Sequence, residues 1–322
     1  MKSYTKTHFV SPLVILFFGI LIVSTASIFI RFAQREAASI VIAAYRLTLA
    51  SLILLPIALW KHGDELRALR RKQIILVILS GIFLAFHFAS WITSLEYTTV
   101  ASSAVLVSTT PLWVALLSPV LLNERPARMV AIGMVVALIG GIMVGLAEAC
   151  GFHSGGFTCP DAGAFFQGRA FIGNLLALAG AFTAGLYLLV GRFLRPSMSL
   201  VVYIFTVYGM AAVSLLVMAL LSGQPMTGFP GYVYLLFLAL AVGPQLLGHT
   251  SFNYGLRYIS ASYIAVALLG EPIGSTVLAM IVLKETPAPL EVIGGGVIML
   301  GIYLASRSQA ELKPAPNPSP SG

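Results

Sequence analysis

Two apolar stretches of this chain each carry a row of polar and aromatic side chains at helical spacing. One row consists of His87, Ser90, Trp91 and Ser94, and the other of Gln245, His249 and Asn253. Steps of three and four residues place each row on one face of a helix. Imidazole, indole and amide groups form hydrogen bonds with a polar solute, and imidazole also exchanges a proton near neutral pH. The rows predict a solute-binding cavity between the two helices, and the alternative is that both histidines only satisfy helix packing.

Four further residues extend the candidate substrate-binding set, namely Thr110, Trp113, Tyr187 and Glu271. Glu271 precedes Pro272, whose ring and missing backbone donor bend a helix and free a carbonyl group. A carboxylate there could bind a substrate ammonium group or a proton, and a structural role is an equal alternative. Trp113 and Tyr187 could line a pocket for a flat or amphipathic solute, against the alternative of packing or an interfacial belt.

Arg46 is a charged residue inside the second apolar stretch of the sequence. A guanidinium group at that depth could meet a substrate carboxylate. The alternatives are that its head snorkels to the membrane surface or that it pairs with Glu271.

Composition places all these residues in a membrane protein. Hydrophobic residues make up 58% of the chain, charged residues only 9%, and the mean hydropathy is +0.95. Such a chain cannot cover a water-facing surface with polar groups, and helices satisfy their own backbone in lipid. The sequence predicts an all-α membrane protein with ten transmembrane helices, at Pro12–Phe32, Ile40–Trp60, Gln73–Thr93, Ala101–Leu122, Met129–Ala147, Phe171–Gly191, Ser199–Leu221, Gly231–Phe252, Ala261–Leu283 and Pro289–Ser306.

The positions of Lys and Arg predict the orientation of these helices. With the N-terminus inside, fourteen of these residues fall in inner segments and four in outer segments. The positive-inside rule therefore predicts cytoplasmic N- and C-termini in an integral, multi-pass protein of the plasma (inner) membrane. The net charge of +8 is then mostly a topology signal, and we expect no nucleic-acid partner.

The sequence repeats itself, without a gap, after 161 residues. Aligned pairs include Pro111 with Pro272, Glu124 with Glu285, Gly133 with Gly294 and Gly140 with Gly301. Each copy holds five predicted helices, an odd number, so the second copy must be inverted in the membrane. The loops agree, because Lys61 to Lys72 contains five basic residues and its counterpart around Ser222 to Tyr232 contains none.

Two short motifs occur once in each copy of the repeat. They are a proline inside the fourth helix, as Thr110-Pro111 and Glu271-Pro272, and a following Glu-x-Pro, as Glu124-Arg125-Pro126 and Glu285-Thr286-Pro287. With these motifs the chain resembles the EamA domains of the drug/metabolite transporter superfamily over roughly residues 12 to 306. The resemblance implies a ten-helix exporter or exchanger that works by alternating access, with amino acids, related metabolites or drugs as common substrates. Where the two copies agree we expect shared architecture, and where they differ we expect the substrate to be recognised.

The predicted organisation is two five-helix EamA repeats at residues 12–147 and 171–306, an extracytoplasmic loop at 148–170, and a disordered cytoplasmic tail at 307–322. Both cysteines, Cys150 and Cys159, fall in that loop. An outer loop in an oxidising compartment favours a disulfide that closes a glycine-rich hairpin. Free thiols are the first alternative and a metal site is a more remote one.

These features together favour a secondary transporter that exports amino acids or related metabolites, with drug efflux as the alternative. The sequence has no Walker-type phosphate loop, so the energy must come from a gradient. A membrane-embedded enzyme is a rival, but His87 and His249 have no carboxylate or cysteine at ligand spacing. A channel is a further rival, and it would not need near-equal inverted halves. We expect no cofactor; the expected partners are a small-molecule solute, the lipid bilayer and a proton or counter-solute, with monomer and homodimer both open.

Overall fold

The computed structural model describes residues 12–122, 128–147, 151–153, 156–158, 168–255, 268 and 270–310. The helices of the first half are α1 (Pro12–Ser24), α2 (Ala26–Ala33), α3 (Ser39–Arg67), α4 (Arg71–Tyr97), α5 (Val100–Val107), α6 (Thr110–Leu122) and α7 (Arg128–Leu146). Those of the second half are α8 (Arg169–Leu194), α9 (Leu200–Leu221), α10 (Gly231–Leu240), α11 (Thr250–Gly255), α12 (Gly270–Leu278) and α13 (Pro289–Ala310). Two π-helical segments, Ala241–His249 and Ala279–Leu283, continue α10 and α12.

Seven helical segments are long and apolar enough to cross a membrane: Val14–Ala33, Ser39–Arg67, Arg71–Ser94, Val100–Leu117, Arg169–Leu194, Leu200–Leu221 and Gly231–Gly255. Three shorter apolar helices, Ala131–Val144, Gly270–Leu283 and Pro289–Leu304, lie where the sequence predicts the fifth, ninth and tenth spans. The prediction of a helical, multi-pass membrane protein is therefore confirmed. Ten complete spans stay a prediction, because only these seven segments of the described residues meet both the length and the apolarity of a crossing.

The loop between the two halves contains a short antiparallel hairpin. Its strands are β1 (Gly151–His153) and β2 (Gly156–Thr158), and Gly151 is paired with Thr158. The predicted disulfide falls on Cys150 and Cys159, which lie outside the described residues.

Helices α7 and α13 pack antiparallel through glycines that correspond in the sequence repeat. A Cβ atom on Gly140 would lie 2.6 Å from the carbonyl oxygen of Gly294, and one on Gly301 would lie 2.5 Å from that of Gly133. Neither position could take a larger side chain without moving backbone. Because Gly140 corresponds to Gly301 and Gly133 to Gly294, the two contacts exchange when the copies are exchanged.

The same exchange relates two other helix pairs. Helix α4 packs along α8, and α1 packs on the π-helical segment and on α11. A Cβ atom on Gly180 of α8 would lie 3.3 Å from Trp91 Cβ, while its sequence equivalent, Gly19 of α1, directly faces the hydroxyl of Ser251. The third and sixth predicted spans thus pack together, and their sequence equivalents, the eighth and first, pack together at the equivalent glycine.

Candidate functional site

Arg46 of α3 lies at the centre of the polar interior. None of its surface is exposed, and its Nε donates a hydrogen bond of 2.9 Å to Gln245 Oε1. The guanidinium carbon lies 4.2 Å from the ring centroid of Phe88 and 5.8 Å from that of Trp91. Neither terminal nitrogen has an acceptor among the described residues. The buried position excludes snorkelling as an explanation for this arginine.

Two histidines complete what we call the Arg46 cluster, which consists of Arg46, His87, Phe88, Trp91, Gln245 and His249. The rings of His87 and His249 have centroids 6.4 Å apart, and the Trp91 ring lies parallel to His87 at 6.1 Å. His87 Nδ1 is 2.9 Å from the carbonyl oxygen of Gly180, which can only accept a hydrogen bond. Nδ1 therefore carries the proton, and Nε2 of the neutral ring is an acceptor.

A proline inside the helix explains the local geometry around Gln245 and His249, the second row of predicted site residues. Pro244 lies inside the helix, lacks a backbone donor and is followed by Gln245, whose surface is completely buried. Around it the residues Ala241–His249 adopt wider π-helical turns, which are common at functional sites. Gln245 and His249 share one face of this segment, toward Arg46 and Phe88 respectively.

Beside the Arg46 cluster, a hydrogen-bond network centred on Asn253 ties α8, α9 and α11 together. The hydroxyl of Tyr187 donates to Asn253 Oδ1 at 2.9 Å. Asn253 Nδ2 donates to the hydroxyl of Tyr208 at 3.3 Å and to the carbonyl oxygen of His249 at 3.1 Å. We call Tyr187, Tyr208 and Asn253 the Asn253 network. Its polar groups already have partners within the protein.

Glu271 lies near the start of α12, immediately before Pro272, and is half-buried. Its carboxyl group and the guanidinium of Arg46 are close enough to interact electrostatically through space. Arg46 takes part in none of the three ion pairs found in the described ranges, so the two side chains are not in contact as an ion pair.

Thr110 and Trp113 lie on a different surface, between α6 and α8. The Thr110 hydroxyl donates to the carbonyl oxygens of Val107 at 2.8 Å and Ala181 at 3.3 Å. The Trp113 ring meets Phe182 edge-on, with centroids 5.3 Å apart. In the described part of the chain neither residue shares a hydrogen bond or ring contact with the Arg46 cluster. The structure thus joins His87, Trp91, Gln245 and His249 and separates these two.

A second charged group, which we call the Glu285 layer, lies where α2, α5 and α13 end or begin. It consists of Arg31, Thr99, Ser102, Glu285 and Glu291. Arg31 Nη2 donates to Glu285 Oε1 at 2.6 Å and Nη1 to the carbonyl oxygen of Leu95 at 2.6 Å. Glu285 Oε2 accepts the backbone N–H of Val100 at 3.0 Å. The glutamate of the second Glu-x-Pro motif thus caps α5 and holds α2.

The sequence patterns do not predict Phe88 or Tyr208 as site residues, and for Arg46 they leave solute binding, snorkelling and pairing with Glu271 as alternatives. Phe88 follows His87 directly, but its role depends on how α3 packs against α4. Among the described residues no group of three His, Cys, Asp or Glu side chains is placed to hold a metal ion.

Comparisons with known proteins agree with this architecture. The family model of the EamA-like transporter family matches residues 10–146 and 171–307, so that the second match starts and ends 161 residues after the first. An uncharacterized transporter of Archaeoglobus fulgidus is 24% identical over 308 residues, covering 95% of this chain and 99% of that protein. The uncharacterized transporter YyaM of Bacillus subtilis is 26% identical over 272 residues, covering 82% and 83%. A crystal structure with 20% identity has the same fold, with a TM-score of 0.63 over 94% of this chain and 99% of that one.

Proposed function

Because the chain belongs to the EamA-like transporter family, we propose that it is a secondary transporter that moves amino acids or related metabolites by alternating access. The family and the apolar helices make it an integral, multi-pass membrane protein. The observation that carries the proposal is the Arg46 cluster, which is buried between the halves. Arg46 and His87 come from the first copy, and Gln245 and His249 from the second. A solute held there touches both halves.

The packing of α7 against α13 supports an inverted arrangement of the two copies. These helices are equivalent in the repeat, run antiparallel and exchange their glycine contacts. A two-fold axis that relates two antiparallel helices lies across them, and for membrane-spanning helices that direction is in the membrane plane.

Contacts between helix ends support the proposed topology of ten crossings. Ends predicted to be outside meet one another, and so do ends predicted to be inside. The outer contacts are Tyr232 with Glu36 and Thr99 with Glu291, and the inner contacts are Glu65 with Ser199 and Gln73 with Ser197. Cytoplasmic termini and the plasma membrane are the orientation and location that fit the distribution of basic residues.

The mechanism follows from this arrangement. Two inverted halves of near-equal energy can exchange conformations, which exposes a site between them first to one side of the membrane and then to the other. The titratable pair His87 and His249, 6.4 Å apart, is available to carry a proton in exchange for solute. We therefore propose coupling to a proton or counter-solute gradient, with flux out of the cell.

Counterflow in liposomes tests transport directly. Purified protein is reconstituted with a high internal concentration of one unlabelled amino acid, and uptake of the labelled form is measured for each amino acid in turn. We expect saturable, transient accumulation with at least one of them, and its loss in His87→Ala. The control is His62→Ala, which changes a histidine at the far end of α3, beside Glu65, and should leave uptake intact. Solute-independent ion current, or chemical conversion of the solute, would contradict the proposal.

A further inference from the structure

We propose that the transported solute carries a carboxylate and that Arg46 binds this group through its two terminal nitrogens. The inference rests on the proposed transport function and names the chemical class of its substrate. It is supported by the set of buried hydrogen-bond donors in the Arg46 cluster that have no acceptor among the described residues.

The guanidinium group of Arg46 is hydrogen-bonded at Nε and has no hydrogen-bond acceptor at its two terminal nitrogens among the described residues. The Nε–H group donates to Gln245 Oε1, while Nη1 and Nη2 have no acceptor in the described part of the chain. A buried charged donor without an acceptor is costly, so the fold keeps this edge for something it binds. The two terminal N–H groups point in parallel and match the two oxygens of a carboxylate.

The surroundings hold the guanidinium in place without using that edge. Phe88 and Trp91 present ring faces to it at 4.2 and 5.8 Å, an attraction that does not depend on an N–H hydrogen bond. Gln245 fixes the Nε side. The group is therefore oriented before the solute arrives, which lowers the entropic cost of binding.

Two neighbouring buried nitrogens also need a hydrogen-bond acceptor. Trp91 Nε1 and Gln245 Nε2 are also buried and also have no acceptor among the residues described. Both groups are donors only, as are the Arg46 nitrogens. A solute that satisfies all of them must be rich in acceptors at one end, which excludes an amine as the group bound there and favours an anionic oxygen group.

The charge of the site distinguishes a carboxylate from a phosphate. Arg46 is the permanent cation of the cluster, because a guanidinium group stays protonated in proteins. A single guanidinium balances one negative charge, whereas a phosphate monoester carries nearly two at neutral pH.

The test uses sets of matched solutes as competitors of uptake. Each transported amino acid is compared with its amide, which loses the anionic oxygen, and with the amine that remains after removal of the carboxyl group. For wild-type protein in liposomes we expect the parent to inhibit uptake at least 100-fold better than either derivative, on the order of one lost charged pair. A phosphoester that has no carboxyl group should not compete.

Variants of Arg46 make the same test from the protein side. Arg46→Gln should raise the half-saturating concentration by about 100-fold or abolish uptake, and Arg46→Lys should restore part of it because charge without the paired geometry remains. The control is Arg35→Gln, which removes an exposed arginine that packs only over Phe32 in the contacts described. Uptake by this control should stay within three-fold of wild type, roughly the scatter expected for a surface change.

The outcomes separate the two proposals. Equal competition by the amide or amine, transport of phosphoesters that have no carboxyl group, or unchanged uptake in a folded Arg46→Gln protein would overturn the carboxylate assignment while leaving transport intact. Failure of the wild type to accumulate any amino acid or carboxylic acid would overturn the proposed function itself. The solute comparison needs no variant, so it decides the question even if Arg46→Gln does not fold.

Discussion

Arg46 is fully buried, the side chain of Arg31 is only 27% exposed, and the two guanidinium groups are used in opposite ways. In the Glu285 layer, both terminal nitrogens of Arg31 are bound, to Glu285 and to a backbone carbonyl, and Nε is left over. In the Arg46 cluster, Nε is bound and both terminal nitrogens are left over. Where the protein supplies the paired acceptors, the arginine stabilises the fold. Where it withholds them, the arginine is available to a ligand.

The rule behind this difference is energetic. A buried charge that has lost its water is stabilising only when its hydrogen bonds are restored. Removing a partner from the Glu285 layer should therefore cost stability. Removing Arg46 should cost little stability and most of the function, since stability and activity trade off at such sites.

Glu285→Gln is expected to give the largest loss of stability. The amide of glutamine cannot accept from both Arg31 and the Val100 N–H, so one donor faces another. We expect the free energy of unfolding in detergent micelles to fall by about 2–4 kcal/mol, the range for breaking a largely buried pair. Chemical denaturation monitored by circular dichroism measures it.

Asp64→Asn is the matched control for that change. It removes a carboxylate from an ion pair with Arg67 that is fully exposed and has a separation of 3.9 Å. Because such a pair contributes almost nothing, stability should be unchanged. Equal destabilisation by both variants would mean that the Glu285 layer is no more structural than the surface.

Tyr187→Phe is expected to have an intermediate effect. It deletes the hydroxyl that donates to Asn253 Oδ1 and leaves a buried amide oxygen without that partner. The loss of stability should be about 1–1.5 kcal/mol, with the half-saturating concentration for uptake shifted less than after His87→Ala. A large loss of affinity with no loss of stability would move the Asn253 network from the scaffold to the binding surface.

Arg46→Met is expected to have the smallest effect on stability. Whether the free energy of unfolding falls or rises is the informative result. Methionine fills similar space with an apolar side chain and removes two buried donors that lack acceptors, which offsets the loss of the hydrogen bond to Gln245 Oε1. The free energy of unfolding should stay within about 1 kcal/mol of wild type or rise, while uptake is lost. A loss as large as that of Glu285→Gln would place Arg46 among the structural arginines.

The sequence was sufficient to predict that His87 and His249 lie side by side. Their rows have helical spacing, and the repeat puts them at nearly equivalent positions on helices that the structure brings into contact. In the second Glu-x-Pro motif Glu285 caps α5 and holds Arg31, in line with a structural role, while Glu124 of the first motif lies outside the described residues. Both inferences depend on local spacing or on symmetry, which a sequence displays.

The remainder depends on packing that spacing cannot reveal. The contact of Arg46 with Phe88 and Gln245 requires the angle at which α3 crosses two other helices. The π-helical turns after Pro244 alter the face that Gln245 presents, and proline alone predicts only a bend. Trp113 was expected near the cavity, but a helix has several faces, and the one that carries Trp113 packs on α8.

Ligand-dependent melting of wild type and Arg46→Met tests the central claim most directly. A solute that binds only the folded protein stabilises it by about 2.7 kcal/mol at 100 times its dissociation constant, which raises the melting temperature. We predict that an amino acid stabilises the wild type, that its amide does not, and that neither stabilises Arg46→Met. Equal stabilisation of both proteins by the amino acid, or of the wild type by acid and amide alike, would contradict the account.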